Sequence, residues 1–232
     1  WIGITNLGIA SLTGIEAFVN AQGLEAGNNL LTSVDLSFNT AFTSIQLTQN
    51  QLTFFTAPAG PALIYLGMSF NQLTGVDVSA ASNLEWLDVN GNQITSLDVS
   101  NNLLLQQLGI AWNQLTTLDV SANTALFSFS CEGNLLASLN MQNGNNSSLL
   151  SFSAVNNGPL NCILVDDAAY MYANWSGGIN GAAAYSTTCP LSSAAALKLD
   201  GANDYVSIPN TASLQFTNGY TLEAWIYKNE LG

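Results

Sequence analysis

Residues 84–115 read LEWLDVNGNQITSLDVSNNLLLQQLGIAWNQL, and one pattern occurs twice within them. Leu84, Leu87, Val89, Asn92 and Ile94 return 21 positions later as Leu105, Leu108, Ile110, Asn113 and Leu115. Followed outward, the asparagine recurs at Asn29, Asn50, Asn71, Asn92, Asn113 and Asn134. Apolar columns travel with it: Ile45, Leu66, Leu87, Leu108 and Phe129 five residues before, and Leu47, Met68, Val89, Ile110 and Cys131 three before. Each unit also has a second half, as in Leu97-Asp98-Val99-Ser100 and Leu118-Asp119-Val120-Ser121. A fixed period of this length is the signature of a stacked-repeat architecture.

Alternating residues such as Leu87 and Val89 point inward from a short strand while their neighbours point out. One turn cannot bury its own inner face, so turns stack at roughly 4.8 Å. At each bend an inward asparagine, donor and acceptor at once, can satisfy backbone groups left inside. Two short strands in 21 residues leave no room for an outer helix. The expectation is a β-rich α/β solenoid of about seven turns with short helical caps, roughly 30–35 Å long at that spacing. Pro58, Gly60 and Pro61 depart from the pattern, which predicts an irregular second strand in that turn.

The motif LxxLxLxxNxL, carried by the residues quoted above, resembles the leucine-rich repeat family in its short nested 21-residue bacterial form. The resemblance covers about residues 1–190 and implies a secreted or surface-anchored bacterial protein. The expected organisation is a capping turn over 1–27, the repeat solenoid over 28–157, a closing cap over 158–190 and a further segment over 191–232. That last segment, LKLDGANDYVSIPNTASLQFTNGYTLEAWIY, resembles the opening strands of a laminin-G-like, concanavalin-type jelly roll, an incomplete β-sandwich fragment. The chain begins at Trp1 and stops at Gly232 inside a strand-like run, which reads as an internal piece of a longer protein.

For the caps, Thr13-Gly14-Ile15-Glu16 reads as a capping box opening a one- to two-turn helix through Phe18 and Val19. At the other end the period slips from 21 to 23 at Asn157, and Asp166 and Asp167 lead a short helix over 168–175 with Tyr170, Tyr172 and Trp175 as its bulky residues. Cys131 lies in an inward column and reads as a buried thiol. Cys162 and Cys189 are then the expected disulfide, which suits an oxidising compartment; two free cysteines are the alternative.

Composition excludes much. Only 7% of the 232 residues are charged; there is no His, and the only cations are Lys198 and Lys228 against 15 carboxylates, a net charge of −13. Histidine-based nucleophilic or metal chemistry is absent. Nucleic acid and anionic lipid are repelled, and no apolar run is long enough to insert in a membrane. No motif calls for a cofactor. Asp166-Asp167 fits a helix N-cap, and Asp98 with Asp119 is expected on an open surface without a pocket. Asn145, Asn146 and Asn174 begin N-x-S sequons.

Two faces remain. The second-half column Asp35, Thr56, Asp77, Asp98, Asp119, Asn140 is a calcium ladder on one reading, since calcium takes six to eight oxygens. On the other, favoured here, it is a solvated column bonded by Ser and Thr hydroxyls. The first-half columns vary: Ser44, Tyr65, Trp86, Gln107, Ser128 and Gln46, Gly67, Asp88, Gly109, Ser130, with Phe70 and Trp112 at the next bend. Positions that vary between regular turns are not dictated by stacking. Tyr65, Phe70, Trp86, Asp88 and Trp112 are therefore the candidate binding residues for a protein or glycan. The expected function is a non-catalytic extracellular binding or adhesion module, neither nucleic-acid-binding nor membrane-inserted. The alternative is a structural spacer or accessory region of a larger secreted lectin-like protein or hydrolase. A binding face predicts clustered, exposed aromatics; a spacer predicts that they bury one another.

Overall fold

A computed structural model describes residues 1–180 and 183–189, within the first of two compact units, Trp1–Pro190. The jelly-roll segment assigned to 191–232 lies outside the described residues. The period of 21 produces two ladders of three-residue parallel strands. The first ladder runs through eight: Ile2–Gly3, Gly23–Glu25, Ser44–Gln46, Tyr65–Gly67, Trp86–Asp88, Gln107–Gly109, Ser128–Ser130 and Ser151–Ser153. Its middle residues, Leu24, Ile45, Leu66, Leu87, Leu108 and Phe129, are in register and fully buried.

The second ladder is divided. Ser33–Asp35 pairs only with Phe54–Thr56, and a separate sheet joins Thr117–Asp119, Ser138–Asn140, Cys162–Leu164 and Ala184–Ser186. The irregularity expected at Pro58 therefore falls one turn later. Phe54–Thr56 is a regular strand, whereas 75–77 and 96–98 form none. Pro58 stands where Ser37, Ser79 and Ser100 donate a turn N–H. Proline lacks that donor, so this turn cannot close like its neighbours.

The solenoid has about nine turns rather than seven. Strand Ile2–Gly3 lies within the residues read as an opening cap. At the far end Ala154 N–H donates to the Gly178 carbonyl (2.7 Å), adding a turn beyond the eighth strand. The opening helix is also smaller than expected. Ile15–Ala17 is a single 3-10 turn entered through Gly14 at φ 99°, and Thr13 Oγ1 is engaged with Ser11 Oγ (2.7 Å) instead of capping. Phe18 and Val19 stay exposed.

The closing helix is Ala168–Trp175, and Asp167 caps it by accepting from Tyr170 N–H (3.0 Å). Met171, not the aromatics, is its fully buried residue; Tyr172 is exposed. Asp166 does a different job from its neighbour. Its carboxylate accepts from Gly144 N–H (3.0 Å) and Asn146 N–H (3.2 Å), pinning the loop that accommodates the two extra residues. Cys162 and Cys189 form a disulfide (Cα–Cα 5.8 Å) across a sequence separation of 27, and Cys131 is a free, buried thiol. Burial raises the Cys131 pKa, as expected of an inert core residue.

Candidate binding face

The asparagine column decides what the first ladder can display. In each turn Nδ2 donates to its own turn and to the turn before, as Asn92 does to the Val89 and Met68 carbonyls (both 3.0 Å). Oδ1 accepts from an amide of the turn before, Leu73 N–H onto Asn92 at 3.0 Å. The same set recurs at Asn50, Asn71, Asn113 and Asn134, and at Asn157 despite the slipped period. With the backbone complete on the inside, the outward side chains are free of structural duty.

The predicted columns are present. Tyr65 lies beside Trp86 and Trp86 beside Gln107; Gly67 lies beside Asp88 and Asp88 beside Gly109. The Tyr65 and Trp86 rings are tilted at 45° with centroids 5.8 Å apart, a packing contact of about 0.5–1.5 kcal/mol beyond area. Trp86 is 42% exposed and Tyr65 is half-buried. Burial, then the nearby Asp88 charge, raise the Tyr65 pKa against a lowering hydrogen bond from Gln46 Nε2 to its hydroxyl (3.0 Å).

Asp88 is held by a network that the repeat pattern does not reveal. Its Oδ1 accepts from Ser69 Oγ (2.5 Å) and Asn90 Nδ2 (2.6 Å), while Asn90 Oδ1 accepts from Ala111 N–H (2.6 Å). The space for this is glycine: a Cβ on Gly109 would lie 2.8 Å from Asn90 Nδ2 and 2.9 Å from Asp88 Oδ1. Beside Trp86 opens a shallow depression of about 210 Å³, lined also by Asp88, Gln107, Gly109, Ser128 and Ser130. The glycines at 67 and 109 were the available signal, since a strand interior seldom takes glycine without a close approach.

Phe70 and Trp112 belong to the bend, not to this depression. Both are exposed and both have left-handed backbone (φ 57° and 56°). For bulky residues that conformation costs about 1–2 kcal/mol.

On the second half each Asp is occupied locally. Ser37, Ser79, Ser100 and Ser121 donate their N–H groups to Asp35, Asp77, Asp98 and Asp119 at 2.8–2.9 Å. Hydrogen bonding from these serines holds Asp35, Asp77 and Asp98 below the ordinary carboxylate range. Burial pushes Asp119 up, but its bonds from Ser121 and Asn140 outweigh it and the result is again lowered. The hydrogen bonds that occupy the column come from backbone amides, and at Asp119 also from Asn140 Nδ2 (3.2 Å), where the sequence leads to the expectation of Ser and Thr hydroxyls. The surface between Asp98 and Asp119 is not featureless, however. Where the strand ladder lapses, a shallow hollow of about 370 Å³ opens between them. Of the sequons, Asn146 is buried, donating from Nδ2 to the Met141 carbonyl (2.7 Å).

Together the stacked parallel strands, the inward asparagines and the 21-residue turn define a parallel β-solenoid of leucine-rich-repeat-like fold. No protein-family model matches the chain, and no curated protein does. Among solved structures, a leucine-rich-repeat protein of Leptospira interrogans, LIC12759, is similar at 21% identity with a TM-score of 0.56. The match covers 62% of this chain and 40% of that one, so the chain spans well under half of that relative. Internalin C2 of Listeria monocytogenes aligns at 18% identity and a TM-score of 0.41 over 79% of each chain. The Leptospira likeness carries the fold.

Proposed function

We propose that the solenoid is a non-catalytic interaction module of adhesion type, secreted or held at a cell surface, that meets a partner protein on the outward face of its first ladder. The observation that carries this is the Tyr65–Trp86 pair bordering a depression lined also by Gly109 and the braced Asp88. Exposed, anchored aromatics beside fixed polar groups are the make-up of binding hot spots. The disulfide supports an oxidising location. Among the described residues no helix is long and apolar enough to cross a membrane. A spacer requires mutually buried aromatics, and the exposure of Trp86 (42%) and Trp112 (56%) favours binding over it.

The test is an array of extracellular and cell-surface proteins probed with the labelled wild type, Trp86→Ala and Gly109→Ala. The Cβ of the second variant crowds Asn90 Nδ2 and Asp88 Oδ1 and so disturbs the braced carboxylate that lines the depression. Specific binding that falls at least tenfold in both variants is expected. Binding indifferent to both, or none at all, overturns the face assignment.

A further inference from the structure

The bends after the first-ladder strands form a second surface, independent of the depression. One bend position is left-handed in turn after turn: Asn28, Gln49, Phe70, Gly91, Trp112, Gly133, Asn156. Glycine and asparagine suit that backbone; phenylalanine and tryptophan do not. Phe70 and Trp112 nevertheless occupy it and remain 60% and 56% exposed, so burial does little to offset the strain.

Each ring instead lies over the glycine of the following turn. A Cβ on Gly91 would stand 2.8 Å from Phe70 Cδ1. One on Gly133 would stand 2.5, 2.7 and 3.0 Å from Trp112 Cε3, Cδ2 and Cζ3. Similar distances to three adjoining ring atoms mean that Gly133 approaches the flat of the indole, which leaves the opposite flat for solvent. The two aromatics are two turns apart, roughly 10 Å along the solenoid axis. Two residues beyond the bend position, Gln51, Gln72, Gln93 and Gln114 are all exposed, giving one free amide per turn.

We propose that this strip binds a neutral polysaccharide, an extended β-linked chain laid along the solenoid axis. A pyranose unit of such a chain advances by about one inter-strand spacing, ~5 Å. Phe70 and Trp112 then stack on alternate sugars, and the glutamine amides, both donor and acceptor, bond the hydroxyls. Charge selects the class: residues 1–189 hold 11 carboxylates and no basic side chain, so an anionic polymer is repelled.

Affinity electrophoresis through gels containing hydroxyethylcellulose, mixed-linkage β-glucan or polygalacturonate tests the proposal. The variants are Phe70→Asn/Trp112→Asn, which places at both bends a residue the same backbone already accepts at Asn28 and Asn156, and Trp86→Ala, off the strip. Retardation is expected in at least one neutral gel and not in polygalacturonate. It should weaken at least tenfold in the double variant at unchanged or higher Tm, and persist in Trp86→Ala. No retardation in either neutral gel, retardation only by polygalacturonate, or retardation retained in the double variant overturns it. The protein-array binding depends on Trp86 and not on Phe70 or Trp112, so the two proposals fail separately.

Discussion

The two ladders are built from nearly the same ten-residue half, yet they differ in what their side chains must do. In the first, eight strands pair without a gap, and each bend asparagine uses both its amide hydrogens and its oxygen. In the second, the strands part after Phe54–Thr56, and the bend asparagines Asn39, Asn102 and Asn123 use only Nδ2, for example Asn102 onto the Val78 and Ala81 carbonyls. Their Oδ1 atoms are buried without a partner, and Gly60 and Ala81 interrupt the column. The outward residues follow suit. Where the strand backbone completes itself, positions 65, 86 and 107 hold Tyr, Trp and Gln. In the second ladder Asp35, Asp77, Asp98 and Asp119 are repeated, each accepting a turn N–H whether or not its segment is a paired strand. Repetition on this surface marks structural duty, and variation marks freedom to specialise.

The largest effect separates the two asparagine columns. Asn92→Ala strands the Leu73 N–H in the core and takes one of two donors from each of the Met68 and Val89 carbonyls, which keep Asn71 and Asn113. It should cost about 3 kcal/mol or more, ~1–3 for the unpaired N–H and ~0.5–1.5 for each lost bond. Asn102→Ala strands nothing, since the Val78 and Ala81 carbonyls keep the Ala81 and Leu84 N–H groups, and it removes an unpaired oxygen, so about 1 kcal/mol is expected for the two lost bonds. Urea unfolding of the pair measures the difference, and equal costs would break the comparison.

Next, the disulfide tethers the end of the second ladder. Cys162→Ser/Cys189→Ser should lose about 3.5 kcal/mol on the chain-entropy model for a separation of 27. Amide exchange in that variant should quicken first at Cys162–Leu164 and Ala184–Ser186, leaving Tyr65–Gly67 protected. Uniform exchange along both ladders would show that they open as one.

The smallest effect concerns the Asp column. Folded pKa values below the unfolded value of about 3.9 mean that the stabilisation is present above that value and is lost as pH falls through the folded ones. Asp98→Asn keeps the turn acceptor, as Asn140 does by accepting from Gln142 N–H (3.1 Å), so near-neutral pH should show almost no change in Tm. The difference from wild type should appear only below about pH 4, where both lose the contributions of Asp35, Asp77 and Asp119 but wild type alone loses that of Asp98. A large loss at pH 7 would give the column a role beyond the turn.

The first ladder, its asparagines and the disulfide were legible because each leaves its own mark in the period or the residue type. The number of turns was not. An asparagine reaches back to the preceding turn, as Asn29 Nδ2 does to the Ile4 carbonyl (2.8 Å); the first turn has none before it, and Gly8 stands in its slot. Nor was the lapse in the second ladder visible at its own residues. Ser96-Leu97-Asp98 and Thr117-Leu118-Asp119 are near copies, but only the latter is a strand. The sequence feature that marks the break is Pro58, in the turn before 75–77. Of the candidate site, the aromatic columns followed from the period, while the bracing of Asp88 by Ser69 and Asn90 required three-dimensional neighbours 19 and 2 residues away.

The central claim is that the varied face binds and the repeated face holds the fold. Array binding and Tm measured together on Trp86→Ala and Asn92→Ala/Asp98→Asn test it most directly. Trp86→Ala should lose binding with Tm nearly unchanged, and the paired variant should lose Tm but, below its transition, still bind. Binding that survives Trp86→Ala, or that disappears in the folded paired variant, would contradict it.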